Sequence, residues 1–392
     1  MHTLSVIEPG MTFEQTKSAL EALGLVVIEY PEDDLYLVKY VKSQSNMENL
    51  DVVKCRGMIL RRSDNQLVCF PPMKSSFIPP EELSKLDFNQ LSFEDFVDGT
   101  MINVFYHNGK WMIATRSYLN ATCKFYSHRT FADLFNEALD FNLSDLDKNN
   151  CYSFVLQHPE NRIVTKYEKP SVTLVCARNI NGLSVNNLNI YQIQIELMES
   201  GVNINTPAKF NMINIETIFS YMANLNYQKQ GIVIKMEYNG YPVRFKVRNM
   251  SYNYVKNMRG NNKNIKFLFY NLRKSGSIKE YLQYFPEYDK GFNYYQTEIH
   301  QVTKKLFKYY HNCYVKKSES KDNIPYEFKP LCYELHGHYL KFRNYIDFEC
   351  TKRYINNLPC ERLLFVVNYK YREEPESEVT DQLTNQMDLM EV

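Results

Sequence analysis

The segment FEDFVDGTMINVFYHNGKWMIATRSYLNA, residues 93–121, decides the predicted fold. It predicts a strand, a tight turn at Asp98-Gly99, a second strand, a hairpin turn at Asn108-Gly109 and a third strand. Side chains alternate along residues 102–107, with Ile102 and Val104 on one face, as expected for a strand. Because Asn-Gly is the strongest short-range hairpin signal, we expect consecutive antiparallel strands here.

The composition limits the class of protein. The chain has 392 residues, enough for two or three domains, and its 44% hydrophobic and 23% charged residues are typical of a globular protein. The formal net charge is +1, so any nucleic-acid site must be a local basic patch. Nine cysteines without a CxxC pair argue against a disulfide framework or a zinc site and favour a reducing compartment.

Targeting signals are not evident in the sequence. No apolar run approaches the length of a membrane span, and residues 1–20 lack the basic flank and apolar core of a signal peptide. We therefore expect no membrane contact, no secretion and a cytoplasmic location.

The order of predicted elements divides the chain into three parts. Residues 1–250 alternate hairpin strands with a few helices, which is typical of an antiparallel α+β domain, and residues 151–167 predict strand, turn and strand. Residues 251–370 predict a helical domain. Residues 371–392 are rich in acids and poor in core-forming residues, which predicts a disordered tail.

The order of motifs resembles that of the covalent nucleotidyltransferases, which include RNA ligases, DNA ligases and capping enzymes. The similarity is to phage-type RNA ligases in particular, and the end block YINNLPCERLLFVVNYKYR resembles RNA-ligase-like proteins of large DNA viruses. The matching segments, in chain order, are Arg56–Leu60, Pro72–Phe77, Asp98-Gly99, Thr115–Ser117, Pro159–Val164, Ala177–Gly182, Gln230–Lys235 and Phe245–Arg248.

This resemblance implies a nucleotidyltransferase fold of antiparallel sheets with flanking helices, followed by an all-helical C-terminal domain. It also implies a chemistry. A lysine amine attacks the α-phosphorus of ATP or GTP, carboxylates hold metal ions, and basic residues bind the triphosphate.

Three positions depart from the family pattern. Phe96 stands at the nucleophilic lysine, Val155 at a carboxylate, and Gln230 at the glutamate of the Glu-Gly motif. Since three groups that act on the reacting phosphate are lost together, we predict no catalytic residue, no metal site and no required cofactor. ATP or GTP remains a candidate ligand, and magnesium would be needed only by an active enzyme.

The residues that remain predict a basic pocket for phosphate. Its predicted nucleotide- or phosphate-binding residues are Asp98, Arg116, Arg162, Lys235, Lys246 and Arg248. The alternative is structural: a turn residue at Asp98, a surface residue at Arg116, a buried paired arginine at Arg162, and a solvated strand face at Lys246 and Arg248. Lys54 is an alternative, displaced nucleophile.

Basic and aromatic residues interleave after residue 250. Residues 251–279 hold seven basic residues and no acid, a mixture that suits phosphate contacts and base stacking on RNA. The alternative is a solvated helix face with core aromatics. The predicted RNA-binding residues are Lys256, Arg259, Lys263, Lys266, Arg273 and Lys274.

Together these patterns predict a catalytically degenerate RNA-ligase-like protein that binds RNA, a nucleotide or a cap in viral RNA metabolism. One alternative is an active ATP-dependent RNA ligase or capping-type guanylyltransferase with a displaced nucleophile. Another is a scaffold subunit of a viral transcription or translation-initiation assembly. The expected partners are RNA and a viral protein assembly, in the host cytoplasm or a viral factory.

Overall fold

In the computed structural model, the structure describes residues 4–8, 10–238, 241–369 and 371. The chain forms two compact units, the first ending at Arg259 and the second beginning at Gly260. The predicted boundary near residue 250 falls at the start of the last helix of the first unit. The predicted acidic tail, 371–392, lies outside the described residues except for Tyr371.

The strands all belong to the first unit. In chain order they are β1 (Leu25–Tyr30), β2 (Leu35–Tyr40), β3 (Arg56–Arg61), β4 (Leu67–Cys69), β5 (Ser76–Phe77), β6 (Ser92–Asp95), β7 (Thr100–His107), β8 (Lys110–Ala114), β9 (Asn150–Gln157), β10 (Ser171–Asn181), β11 (Ser184–Leu188), β12 (Lys209–Phe210), β13 (Gly231–Tyr238) and β14 (Tyr241–Arg248). They form a first sheet β1-β2-β3-β4, a second sheet β11-β10-β9-β7-β8 and a third sheet β12-β6-β13-β14-β5.

The helices lie in both units. The first unit has α1 (Phe13–Ala22), α2 (Leu50–Lys54), α3 (Pro80–Leu83), α4 (Phe131–Ala138), α5 (Ile190–Glu199), α6 (Ile215–Ala223) and α7 (Met250–Arg259). The second has α8 (Ile265–Ser275), α9 (Ile278–Tyr284), α10 (Asp289–Tyr310), α11 (Lys329–Phe342), α12 (Phe348–Asn357) and α13 (Cys360–Asn368). Aromatic rings fill part of its core, with Phe269 and Tyr281 both against Phe292.

The fold class is as predicted: antiparallel sheets with flanking helices, then a helical C-terminal region. The paired strands described are antiparallel except for the short β14–β5 pair. Each sheet buries one apolar face under helices: α1 packs on the first sheet, α4 and α5 on the second, and α6 on the third. No helix in the described ranges has both the length and the apolar character needed to cross a membrane.

The predicted turn at Asn108-Gly109 is confirmed. Asn108 and Gly109 both have positive φ, 46° and 82°, which a two-residue turn of type I′ requires, and they join β7 to β8. Ile102 and Val104 share one face of β7, in the core beneath α4, as the alternation predicts. The opposite face is also buried, with Phe105 in a core formed with residues of the first sheet.

The second strand predicted within residues 151–167 is wrong. The chain leaves β9 at Gln157, makes a single 3-10 turn over Pro159–Asn161 and then continues without regular structure. The backbone amides of Val164 and Thr165 donate to Oδ2 of Asp98, at 3.1 and 2.9 Å, rather than to a neighbouring strand. The Asp98 carboxylate therefore accepts hydrogen bonds from two backbone amides of the segment that we predicted to be a strand.

Candidate nucleotide and phosphate site

One face of the third sheet presents three rows of side chains. The register pairs Glu94 with Val233 and Val233 with Lys246, and the amide of Phe96 donates to the carbonyl of Gly231 at 3.0 Å. Since side chains alternate along a strand, every second residue shares this face. We name the rows outer (Phe96, Gly231, Arg248), middle (Glu94, Val233, Lys246) and inner (Ser92, Lys235, Arg244).

Phe96 occupies the position of the expected nucleophile. Its half-buried ring lies in the outer row, with Cζ of Arg248 5.7 Å from the ring centroid. A guanidinium near an aromatic face gains a modest electrostatic attraction. The ring has no amine, so this position supplies packing for Arg248 and no group that could bond to phosphorus.

The two positions at which we predict lost carboxylates, Val155 and Gln230, hold buried side chains. Val155 lies on β9 opposite Met101, and a Cβ placed on Gly99 would lie 2.7 Å from its Cγ1 atom. Gln230 is buried immediately before Gly231. Neither position presents the anionic oxygen that a divalent metal prefers.

A cluster of cations surrounds the outer and middle rows; we call it the basic cluster. Burial is the largest cause that lowers the pKa of Lys246, to about 8, and repulsion by Arg248, Lys74, Lys256 and Arg56 adds to it. The members of the basic cluster are Lys42, Arg56, Lys74, Arg116, Lys246, Arg248 and Lys256.

Other members of the basic cluster are perturbed in the same direction. Burial lowers the pKa of Lys256, and the charges of Arg248 and Lys42 lower it further. Burial also lowers the pKa of Arg56, with repulsion from Arg116. Like charges thus meet from six separate parts of the first unit, which costs free energy unless an anion compensates them.

In the described part of the chain, no member of the basic cluster forms an ion pair with a carboxylate. The buried Nε of Arg248 has no hydrogen-bond partner there. The charge of Asp98 opposes the lowering of the pKa of Lys256 by burial. A positive site raises the local concentration of anions, and Arg and Lys donors match phosphate oxygens. The arrangement can therefore bind a polyanion.

Both carboxylate oxygens of Asp98 accept hydrogen bonds from the protein. Its side chain is 5% exposed, and Oδ2 accepts the amides of Val164 and Thr165. Oδ1 accepts the hydroxyl of Tyr252 at 2.6 Å, and burial together with the Asp98 charge raises the pKa of that hydroxyl. Tyr252 lies on α7, so this bond ties the helix that carries Lys256 to the Asp98-Gly99 turn.

The six predicted phosphate-binding residues occupy three places. Arg116, Lys246 and Arg248 belong to the basic cluster. Arg162 is buried beside Asp98 and donates Nε–H to the carbonyl of Val164 at 3.0 Å. Lys235 is in the inner row, with Nζ 2.6 Å from Oε2 of Glu94.

Sequence reasoning missed part of the basic cluster. Arg56 and Lys74 stood in matched motifs, Arg-Gly and Pro-Met-Lys, and that match was a signal that could have found them. Lys42 follows β2 in a polar loop and had no such signal. Tyr252 was assigned only to an aromatic-basic stretch, since nothing local indicates a partner 154 positions away.

Lys54, the alternative nucleophile, forms a buried ion pair with Asp51. Its Nζ lies 2.9 Å from Oδ1 of Asp51, one turn earlier on α2, and both side chains are buried. This ion pair keeps the amine in the interior of the first sheet's core, which also contains Val52 and Cys55.

Two of the six predicted RNA-binding residues are enclosed by internal contacts of their own unit. Arg259 has 0% exposure, with Cζ 3.9 Å from the ring centroid of Tyr126, and in the second unit Lys266 forms a 2.7 Å ion pair with the buried Glu298. Both are enclosed by internal contacts, which corrects the expectation for these two. The other four are half-buried or exposed: Lys256, Lys263, Arg273 and Lys274.

Parts of this chain resemble known proteins in sequence. No protein-family model matches the chain. It is 26% identical to a candidate bifunctional polynucleotide kinase/RNA ligase of Autographa californica nuclear polyhedrosis virus, over 42% of this chain and 26% of that protein. It is 25% identical to an RNA ligase of Rhodothermus phage RM378, over 45% of this chain and 48% of that protein. The chain thus spans less than half of either relative.

Solved structures give a weaker likeness. A candidate ATP-dependent DNA ligase from Aquifex aeolicus has a TM-score of 0.44 at 14% identity, covering 72% of this chain and 70% of that one. An archaeal ATP-dependent RNA ligase has a TM-score of 0.44 at 13% identity, covering 73% and 74%. We infer nothing from scores this low. The curated sequence relatives confirm the predicted resemblance: the chain is similar in sequence to proteins named as RNA ligases.

Proposed function

We propose that this protein binds the phosphates of an RNA end or a nucleotide in its basic cluster and forms no covalent nucleotidyl intermediate. The observation that carries the proposal is the outer row, where Phe96 replaces an amine beneath Arg248 while cations without carboxylate partners, in the described residues, surround it. The relatives named as RNA ligases support RNA as the class of ligand.

The chemistry of the replaced positions argues against transfer. A phosphoramidate needs an unprotonated amine in line with the α-phosphorus, and Phe96 offers none. Metal ions that neutralise a triphosphate are held mainly by carboxylates, and Val155 and Gln230 are uncharged. The basic cluster supplies positive charge in place of those ions, so phosphate binding here needs no divalent cation.

A second candidate function rests on Lys246. Its pKa of about 8 leaves part of the amine neutral near physiological pH, and it lies one row from Phe96. A lysine desolvated beside other cations is a recognised type of nucleophile. In this candidate Lys246 is the displaced nucleophile of an active ligase or guanylyltransferase.

One experiment separates the two candidates. The protein is incubated with α-labelled ATP or GTP and Mg²⁺, and labelled protein is measured after denaturation. We expect no acid-labile adduct, with or without metal. A stoichiometric adduct that disappears in Lys246→Met would establish the second candidate and end the first.

Binding is tested with a 5′-phosphorylated single-stranded RNA in the presence of EDTA. We expect saturable binding at low salt that weakens about tenfold in Arg248→Met, since a charge-assisted contact to phosphate is lost. Arg61→Met is the matched control, because Arg61 pairs with Asp64 on the surface and lies outside the basic cluster. Absence of RNA and nucleotide affinity at low salt would refute the proposal and favour a protein-scaffold role.

A further inference from the structure

The C-terminal end of α10 and the segment after it carry a concentration of lysines, which we call the lysine surface. Residues 304–321 contain six lysines and a single acid, Glu319, and all six lysines are exposed. The members of the lysine surface are Lys304, Lys305, Lys308, Lys316, Lys317 and Lys321. Among the described residues of the second unit, none of the six forms an ion pair with a carboxylate.

The helix and the segment after it bring these lysines to one side. The lysines of α10 lie on one face of its last two turns, because residues three and four apart are neighbours, and Leu306 and Tyr310 are buried on the opposite face. A single π-helical turn, His311–Val315, extends α10. The chain then folds back on this turn, since the amide of Ser318 donates to the carbonyl of Asn312 at 3.0 Å. The three lysines that follow the helix therefore lie beside its end.

The helix terminus alone does not explain so many cations. A helix C-terminus attracts a positive side chain, but this effect falls off within the last turn. It accounts for Lys308 and leaves Lys304 and Lys305 unexplained. Elsewhere in the same unit the fold pairs an arginine directly, since Arg362 lies 2.6 Å from Glu334. The lysine surface therefore has the charge to bind an anionic partner.

The chain itself contains a segment of opposite charge. Residues 260–369 hold 18 Lys and Arg and 11 Asp and Glu, a formal charge of +7. Residues 372–392, which we call the acidic segment, hold one Arg and seven Asp and Glu, a formal charge of −6. Five of these acids lie within residues 373–381, so the negative charge is concentrated near the start of the acidic segment. The two charges nearly balance each other.

The acidic segment begins close to the lysine surface. α13 ends at Asn368, and the ring centroid of the next residue, Tyr369, lies 5.8 Å from that of Tyr326. Tyr326 comes five residues after Lys321, so their Cα atoms are at most about 18 Å apart. Residues 373–381 span about 30 Å when extended. The first acids are therefore within reach of Lys321.

We propose that the acidic segment docks on the lysine surface of the same chain and keeps other polyanions off it. A segment tethered this closely has an effective concentration in the millimolar range, so it meets the lysines more often than a free polyanion does. Single exposed ion pairs are weak, so docking uses several carboxylates at once and weakens with salt. The docking lies within the second unit and does not depend on phosphate binding at the basic cluster.

Carbodiimide cross-linking of the full chain tests the docking, because this reagent joins a carboxylate to a lysine amine that contacts it. We expect cross-links from residues 373–381 to Lys316, Lys317 and Lys321 at low salt, and about tenfold fewer at 1 M salt, where the Debye length is about 3 Å. Lys290 is the matched control, an exposed lysine at the other end of α10. Equally frequent cross-links to Lys290, or a yield that rises with protein concentration, would overturn the proposal.

Acetylation of lysines by a small neutral ester, followed by mass spectrometry, gives a second measurement. A full-length tail variant carries Glu373→Gln, Glu374→Gln, Glu376→Gln and Glu378→Gln. We expect the lysine surface of this variant to react a few-fold faster than that of the parent, relative to Lys290. A control variant with the same change of charge should react as the parent does. It carries changes at four exposed glutamates of the first unit: Glu81→Gln, Glu82→Gln, Glu196→Gln and Glu199→Gln.

RNA is the competing occupant of the lysine surface, and acetylation distinguishes it from the acidic segment. A single-stranded oligouridylate should protect the lysine surface in the tail variant and protect it much less in the parent. Unchanged acetylation in the tail variant, with equal protection of both proteins by the oligouridylate, would assign the surface to RNA and overturn the proposal. Failure of RNA binding at the basic cluster, with the cross-links retained, would refute only the proposed function.

Discussion

Two short segments near the outer row, Asp98-Gly99 and Gln230-Gly231, can be compared position by position. Gly99 comes three residues after Phe96, and Gly231 comes directly after Gln230, so each glycine lies near a position that differs from the family pattern predicted from the sequence. A Cβ on Gly99 would lie 2.2 Å from the carbonyl oxygen of Leu156, and one on Gly231 would lie 2.1 Å from that of Val247. Backbone contacts therefore explain why these two positions are glycine.

The largest expected effect on stability comes from adding a Cβ atom at one of the two closely packed glycines. Gly231→Ala should lower the free energy of unfolding by about 3–5 kcal/mol, because the new Cβ meets a carbonyl oxygen and φ is +130°. Denaturant unfolding of the full chain measures it.

Gly109→Ala is the control for strain alone. Gly109 also has a positive φ, +82°, but its Cβ would meet no atom within 4 Å, so the expected loss is only about 1 kcal/mol. Equal losses in the two variants would show that close backbone approach does not explain why the glycine is kept.

Asp98 is a charged residue of the same region whose carboxylate accepts hydrogen bonds within the fold, so its contribution to stability can be measured. Tyr252→Phe removes the 2.6 Å bond to Oδ1 and leaves a buried carboxylate one donor short. We expect a loss of about 1–3 kcal/mol in the free energy of unfolding, measured by chemical denaturation. Tyr254→Phe, on the exposed side of the same helix, should change it little. An unchanged stability in Tyr252→Phe would mean that Asp98 is not held for this structural role.

Lys246 is the opposite case, a charge with no carboxylate partner among the described residues. Its pKa of about 8 in the protein means that the amine loses its proton as the pH rises through 8. Affinity for 5′-phosphorylated RNA should therefore fall by a few-fold, on the order of one charge contact, between pH 7 and pH 9. Fluorescence anisotropy at constant ionic strength measures it.

Lys246→Met should remove that pH dependence and bind at pH 7 as the parent protein binds at pH 9. A variant that keeps the full decline would assign the titration to another group of the basic cluster.

The sequence predicted those parts of the fold that depend on local rules. Asn108-Gly109 fixes its hairpin through backbone conformation, and the alternation of β7 places Ile102 and Val104 on one face. The same reasoning wrongly predicted a strand around Val164 and Thr165, because their backbone amides donate to the distant side chain of Asp98. Helix α5, Ile190–Glu199, was not predicted, because its IYQIQIEL run alternates like a strand.

The site was less predictable than the fold. Single motifs located Lys246 and Arg248, but their grouping with Lys42 depends on how distant segments pack. Charge alone also could not tell exposed cations from buried ones. Arg259 and Lys266 belong to the same basic stretch as Lys274, yet the first two are enclosed and the third is exposed.

The bond between Tyr252 and Asp98 has a consequence for how the first unit is made. Its two partners are 154 positions apart, so the Asp98 carboxylate lacks this donor until translation has passed residue 252. A recombinant fragment that stops at residue 250 would omit α7 and carry an under-bonded buried acid, whereas one that stops at Arg259 would contain the complete pairing. Residues 251–259 therefore determine whether a shortened protein contains the tyrosine donor for the Asp98 carboxylate.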